Sequence, residues 1–157
     1  MPTIREVSMN DRPGPDARAA YVHFRAMTTR WGDNDAYRHM TNVTYLSFFD
    51  SAVCQYLIEN RVLDVETSPV VGLVAETSCR YFKEIAFPSI VNVGMRIGRQ
   101  GNSSIRYEIG LFRDDDELAC AQGFLVHVYV ERKSGRPVSI PGDIRKAVAP
   151  LHRNSVN

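Results

Sequence analysis

NVTYLSFFDSAVCQYLIEN, residues 42–60, contains no Gly or Pro and repeats its large apolar side chains at intervals of three and four. Tyr45, Leu46, Phe49, Ala52, Val53, Tyr56 and Leu57 therefore share a broad helical face, and Thr44, Ser47, Ser51 and Gln55 leave only a narrow polar stripe. A helix this apolar around its circumference is expected to be buried on most sides. The rest of the chain must supply the cover.

The flanking segments have the two-residue period of strands. Strands are expected over 21–29, 70–84, 90–99, 105–112 and 118–131. Val91, Val93, Met95 and Ile97 alternate with polar neighbours, as do Ile105, Tyr107, Ile109 and Leu111, while Phe124, Val126, Val128 and Val130 mark one face of the last strand. Residues 101–103 and 114–116 read as hairpin turns, and 143–149 as a short terminal helix. One long helix accompanied by about five strands does not give a doubly wound parallel sheet, which needs strands alternating with several helices. A flat sheet cannot cover such a helix, so the fold class is α+β with a curved antiparallel sheet around it.

At 157 residues the chain has the length of one domain. Residues 1–20, with Pro13, Gly14 and Pro15 and no sustained apolar period, are expected to form a mobile or partner-draped arm; 21–151 are the domain and 152–157 a tail. The net charge of +1 is too balanced for the broad positive field that attracts nucleic acid or anionic membrane. Cys54, Cys79 and Cys120 form no C-x-x-C pair and read as small buried residues. With no apolar run near the ~20 residues of a membrane span and no signal-like N-terminus, a cytoplasmic location is expected.

Residues capable of chemistry concentrate in Arg30-Trp31-Gly32-Asp33-Asn34-Asp35-Ala36-Tyr37-Arg38-His39-Met40-Thr41-Asn42, immediately before the helix. A helix N-terminus presents unpaired N–H groups and the positive end of the dipole, suited to polarising a carbonyl. A carboxylate on the preceding loop could then act on an acyl carbon held there. Calcium fails on spacing, because the sixth position of an EF-hand loop starting at Asp33 would be Arg38 and the twelfth Thr44. Zinc has no familiar pattern around His39. A plain polar turn with an N-cap remains the competing reading. Trp31 reads as packing at the strand-to-loop junction, and His127, on the strand face opposite Val126 and Val128, as a surface or interface residue.

Asp35-Ala36-Tyr37-Arg38-His39-Met40-Thr41-Asn42-Val43-Thr44-Tyr45-Leu46 resembles the D-x-x-x-H-V-N-N-x-x-Y-L segment of hotdog-fold acyl-CoA thioesterases of the 4-hydroxybenzoyl-CoA thioesterase superfamily. It departs at Met40 and Thr41, both mild changes. Residues 74–83 resemble the family's strand after the helix, and Ser134-Gly135-Arg136-Pro137-Val138 with Ile140-Pro141 its closing hairpin. The resemblance implies hydrolysis of an acyl-CoA to free acid and coenzyme A, with no metal or organic cofactor. It implies Asp35 as general base or nucleophile, Asn42 or Val43 as the helix-start N–H facing the thioester oxygen, His39 as an orienting residue and Tyr45 as a wall of the acyl pocket.

Asp33 is closer to a structural loop residue than to a second acid. Asp50 matches a commonly acidic position, assisting water or the acyl end or pairing with Arg80 or Lys83. The turn carrying Arg99, Asn102, Ser103, Ser104 and Arg106 is expected to help hold coenzyme A, although Gly101 and Asn102 replace the adjacent basic residues of some members. Tyr45, Phe48 and Phe49 could line a pocket or serve the core. A homodimer with interfacial sites, often paired into a tetramer, is also implied. Other uses of the fold are a non-catalytic acyl-CoA or acyl-carrier-protein binding module and an enoyl-thioester hydratase, the latter disfavoured by the lack of an H-x-F-P motif.

Overall fold

Thr41 starts the long helix. Its Oγ1 accepts from the Thr44 amide at 3.4 Å, its own N–H donates to the Asp33 carbonyl at 2.8 Å, and α1 then runs over Asn42–Glu59. The computed structural model describes residues 13–153. Five strands follow the expected pattern: β1 His23–Thr28, β2 Val70–Tyr81, β3 Ile90–Gln100, β4 Ser104–Arg113 and β5 Ala121–Glu131, with a short helix α2 at Gly142–Val148. They form one sheet in the order β1-β3-β4-β5-β2, every neighbouring pair antiparallel.

Alternation decides which side of the sheet meets α1. Val91, Val93, Met95 and Ile97 of β3 and Ile105, Tyr107, Ile109 and Leu111 of β4 are buried against Tyr45, Phe48, Phe49, Ala52, Val53, Tyr56 and Leu57 of α1. Each fully buried side chain of this size contributes about 1.5–3 kcal/mol. Register irregularities at Val74/Glu76 in β2 and Ile97/Arg99 in β3 add bend and twist where the sheet curves. The sheet covers one broad side of α1 and leaves Val43, Ser47, Asp50, Gln55 and Ile58 exposed in the single chain. The expected burial on most sides is thus incomplete, because an open sheet of five strands cannot enclose the whole circumference.

Strand β5 departs from the expected phase. Its inward residues are Ala121, Leu125, His127 and Tyr129, so His127 is 3% exposed and the even-numbered apolar residues 124, 126 and 128 lie half-buried on the outer side. Because both sides of β5 are apolar, the spacing of the even set does not by itself make it the core face. Trp31, expected as packing at the strand-to-loop junction, is 81% exposed and touches the Phe87 ring edge-on, at 5.9 Å between centroids.

Within the stretch expected as an arm, residues 16–20 lie on the domain. Ala119 N–H donates to the Asp16 carbonyl at 2.9 Å, Arg18 N–H to the Glu117 carbonyl at 3.1 Å, and Tyr21 packs with Phe112 and Ala119 outside the main core. Gly94 and Gly110, paired in register, make room for that tyrosine; a Cβ at Gly110 would stand 2.6 Å from its ring. Residues 1–12 and 154–157 fall outside the described residues. No described helix is long and apolar enough to cross a membrane.

Candidate active site

The loop before α1 is shaped by its own acids. Buried Asp33 accepts from the Arg30 backbone at 2.7 Å and from its guanidinium at 3.0 Å, while its carbonyl holds the Thr41 amide. This is the structural role expected of it. Asn34 and Met40 form a bridge, and residues 35–39 turn between them with Arg38 in the left-handed region at φ 65. Asp35 Oδ1 accepts from the Tyr37 amide at 2.8 Å and the His39 amide at 3.3 Å. Both bonds fall on Oδ1, and the carboxylate is exposed, so Oδ2 faces no competing donor from this turn.

At the start of α1 several side chains converge. His39 Nε2 lies 2.8 Å from a Glu84 carboxylate oxygen, and the Tyr81 hydroxyl donates to Asn42 Oδ1. Tyr45 is buried; its hydroxyl accepts from the Ile85 amide at 3.2 Å and its ring meets Tyr81 edge-on at 4.9 Å. Burial pushes the Tyr45 hydroxyl pKa above its ordinary value, with the Ile85 N–H opposing. His39, Met40, Asn42, Tyr45 and residues 81–84 line an open groove of about 740 Å³ at this helix end. That volume suits a small organic ligand. Asp35 and Val43, both exposed, are not among the lining residues.

Tyr81 and Glu84 were not singled out from the sequence. The segment 74–83 carried the family resemblance, but nothing in strand alternation marks its last residues as reaching the helix start. Phe48 and Phe49 fall to the core, leaving Tyr45 as the aromatic residue of α1 that borders the groove.

The other expected residues lie elsewhere in the chain. Tyr81 pairs with Ala121 and Ala121 with Leu111, whereas Ser104 pairs with Val128 and Val70 with Glu131. The groove and the 101–103 turn are therefore at opposite ends of the sheet, roughly 23 Å apart along β5 at ~3.3 Å per residue. Asn102 is tied to the C-terminal segment, its carbonyl accepting from the Ile140 amide at 2.8 Å and from Arg145 at 3.0 Å, and the Ser103 carbonyl accepts from Tyr129. Arg99 is exposed at the β3 bulge. Arg106 lies on the outer face, its guanidinium 3.6 Å from the Phe124 ring centroid. One chain does not bring these residues to Asp35.

Asp50 pairs with neither base named for it. Lys83 bonds Asp116 at 3.0 Å instead, and Asp50 Oδ1 accepts from the Cys54 thiol at 3.8 Å, one turn further along α1. Burial, assisted by Asp50, pushes the Cys54 thiol up to about 11. Burial holds His127, across the interface on β5, down to about 4, with Asp50 opposing. A smaller depression on the outer face contains Arg80, Arg96 and Arg106, but Arg96 is spent on Glu108 at 2.7 Å and Asp16 at 3.2 Å.

A curved antiparallel sheet around one long helix, with an acid-bearing loop at the helix start, defines a hotdog-fold protein of thioesterase type. The profile of the thioesterase-like superfamily matches residues 29–148, and the chain belongs to that superfamily. The crystal structure of the PA5185 protein of Pseudomonas aeruginosa strain PAO1 is 50% identical and superposes with a TM-score of 0.86 over 90% of this chain and 99% of that one. PA2801 of Pseudomonas aeruginosa, a candidate thioesterase, is 27% identical with a TM-score of 0.75, covering 82% of this chain and 99% of its own. The uncharacterized protein YsmA of Bacillus subtilis (strain 168) is 23% identical over 129 residues, 82% of this chain and 86% of that protein.

Proposed function

We propose that this protein hydrolyses acyl-CoA thioesters to the free acid and coenzyme A. The observation that carries the reading is the convergence of His39, Asn42 and Tyr45 with Tyr81 on one open groove at the N-terminus of the buried helix. The thioester carbonyl oxygen would face the Asn42 or Val43 backbone N–H, where the helix dipole favours developing negative charge. Oδ2 of Asp35 then takes a proton from water or attacks the acyl carbon directly. A thiol leaving group near pKa 8.5 needs little acid assistance. His39, held by Glu84, orients the loop, and Tyr45 walls the acyl end. The reaction draws on no organic cofactor, and its substrate class fits a cytoplasmic location.

The separation of groove and turn supports a site shared between subunits. Strand β2 is a sheet edge, paired on one side with β5, and Leu73 and Val74 on it are exposed. Pairing through such an edge satisfies its open backbone groups. In a dimer, the partner's Arg99, Asn102, Ser103, Ser104 and Arg106 would approach this chain's groove and meet the phosphates and amides of coenzyme A. Two such dimers could then pair as a tetramer.

Asp35→Asn keeps an Oδ1 acceptor for the Tyr37 and His39 amides, so the loop should hold its shape. Thiol release should fall by about 10²–10⁴-fold, with the melting temperature within about 2 °C of wild type. Turnover at the wild-type rate would remove Asp35 from the reaction.

A further inference from the structure

Two turns into α1, away from the groove, a second set of chemically capable side chains meets between α1 and β5. Asp50 and Cys54, four residues apart, share one helix face, and His127 points at α1 from the inner side of β5. A carboxylate oxygen of Asp50, the Cys54 thiol and a ring nitrogen of His127 all lie within 4.8 Å of one another. His127 is almost fully buried, and its Nδ1 has no hydrogen-bond partner. Leaving an imidazole nitrogen unpaired in the interior is costly, so burial of this ring asks for a compensating interaction elsewhere on it. The surroundings are built for the ring: Tyr107 and Tyr129 meet it edge-on at 5.6 and 6.3 Å, and a Cβ at Gly72 would stand 2.8 Å from Nδ1.

We propose that Asp50, Cys54 and His127 form a binding site for a divalent transition-metal ion of the zinc class, with a fourth position open to water. The donor set selects the ion. Calcium and magnesium take oxygen ligands, whereas one imidazole, one thiolate and one carboxylate suit zinc and its neighbours. Tetrahedral coordination with sulfur at ~2.3 Å and nitrogen or oxygen at ~2.0 Å places donor atoms about 3.3–3.6 Å apart. The observed 3.8 Å between Cys54 Sγ and Asp50 Oδ1 is already close to that, and closing the remainder takes side-chain movement of about 1 Å or less. Exposed Asp50 gives the ion a path from solvent. On binding, the Cys54 thiol releases its proton to water, His127 coordinates as neutral imidazole and Asp50 as carboxylate. The site is independent of the proposed hydrolase reading and uses none of its groove residues.

The test uses the tag-free full chain, stripped with chelator and dialysed against Zn²⁺ or Co²⁺ alone. Wild type should retain one zinc per chain, and the cobalt form should show a thiolate-to-cobalt charge-transfer band. Cys54→Ser should abolish that band, and Cys54→Ser, Asp50→Asn and His127→Gln should each weaken zinc binding by at least about tenfold. Cys79→Ser should leave both readouts unchanged. If His127→Gln fails to fold, the two α1 variants decide the matter alone. Failure of wild type to retain stoichiometric zinc, absence of the charge-transfer band, or zinc binding that survives both α1 variants would overturn the assignment.

Discussion

Tyr45 ties the candidate site to the core: its ring is buried under the sheet and borders the groove, while its hydroxyl satisfies the Ile85 amide. Tyr45→Phe keeps the ring but orphans that N–H, so chemical denaturation should show a loss of about 1–3 kcal/mol; an unchanged midpoint would mean the amide finds another partner. His23 supplies a pH dependence. Burial lowers its pKa below 6.5, Arg25 lowers it further and Glu59 opposes, with the ring set 5.0 Å from Tyr56. Because the native state favours the neutral ring, its contribution is present above the unfolded pKa of ~6.5 and lost as pH falls toward the lower native value. His23→Gln should therefore flatten the decline of the urea midpoint between about pH 7 and pH 5; parallel curves for variant and wild type would contradict this. Asp35 was legible from the D-x-x-x-H segment, but its bonds to Tyr37 and His39 were not, since they depend on the left-handed turn at Arg38.

Among the elements, α1 was readable almost to the residue, because three-and-four spacing without Gly or Pro has one physical solution. Strands β3 and β4 were equally plain, each alternating cleanly between apolar and polar. Strand β5 was not: with apolar residues on both sides, phase alone could not choose the inner one, and buried His127 went to the wrong face. The Asp50, Cys54 and His127 cluster escaped for a related reason, combining a helix pair with a strand residue far along the chain. Close strand packing yields a sharper prediction. A Cβ at Gly123 would stand 1.8 Å from the Ser78 carbonyl oxygen, backbone that cannot yield without moving β2, while a Cβ at Gly32 meets nothing within 4 Å. Gly123→Ala should cost about 3 kcal/mol or more and Gly32→Ala less than about 0.5 kcal/mol. Equal melting temperatures for the two variants would show that β2 and β5 are less tightly apposed.

For the whole molecule, the proposed hydrolase site needs the 99–106 turn of a second copy, because the groove and that turn lie at opposite ends of one chain's sheet. Asp35 and the 99–106 turn are expected to meet in a site at a subunit interface, and within one chain the sheet holds them at opposite ends. A shared site predicts complementation: Asp35→Asn mixed and refolded with a variant altered at Arg99 and Arg106 should regain about a quarter of wild-type activity, from the one intact site in each mixed dimer. Additive residual activities would place both groups in one chain's site.

Thiol release by the wild-type protein, measured with short, medium, long and aromatic acyl-CoAs, tests the central claim most directly. Coenzyme A thiol and free acid should appear stoichiometrically with at least one acyl class, with medium to long or aromatic groups favoured by the aromatic wall at Tyr45. Binding of the same compounds with no thiol released, or addition of water to an enoyl-CoA that leaves the thioester intact, would contradict it.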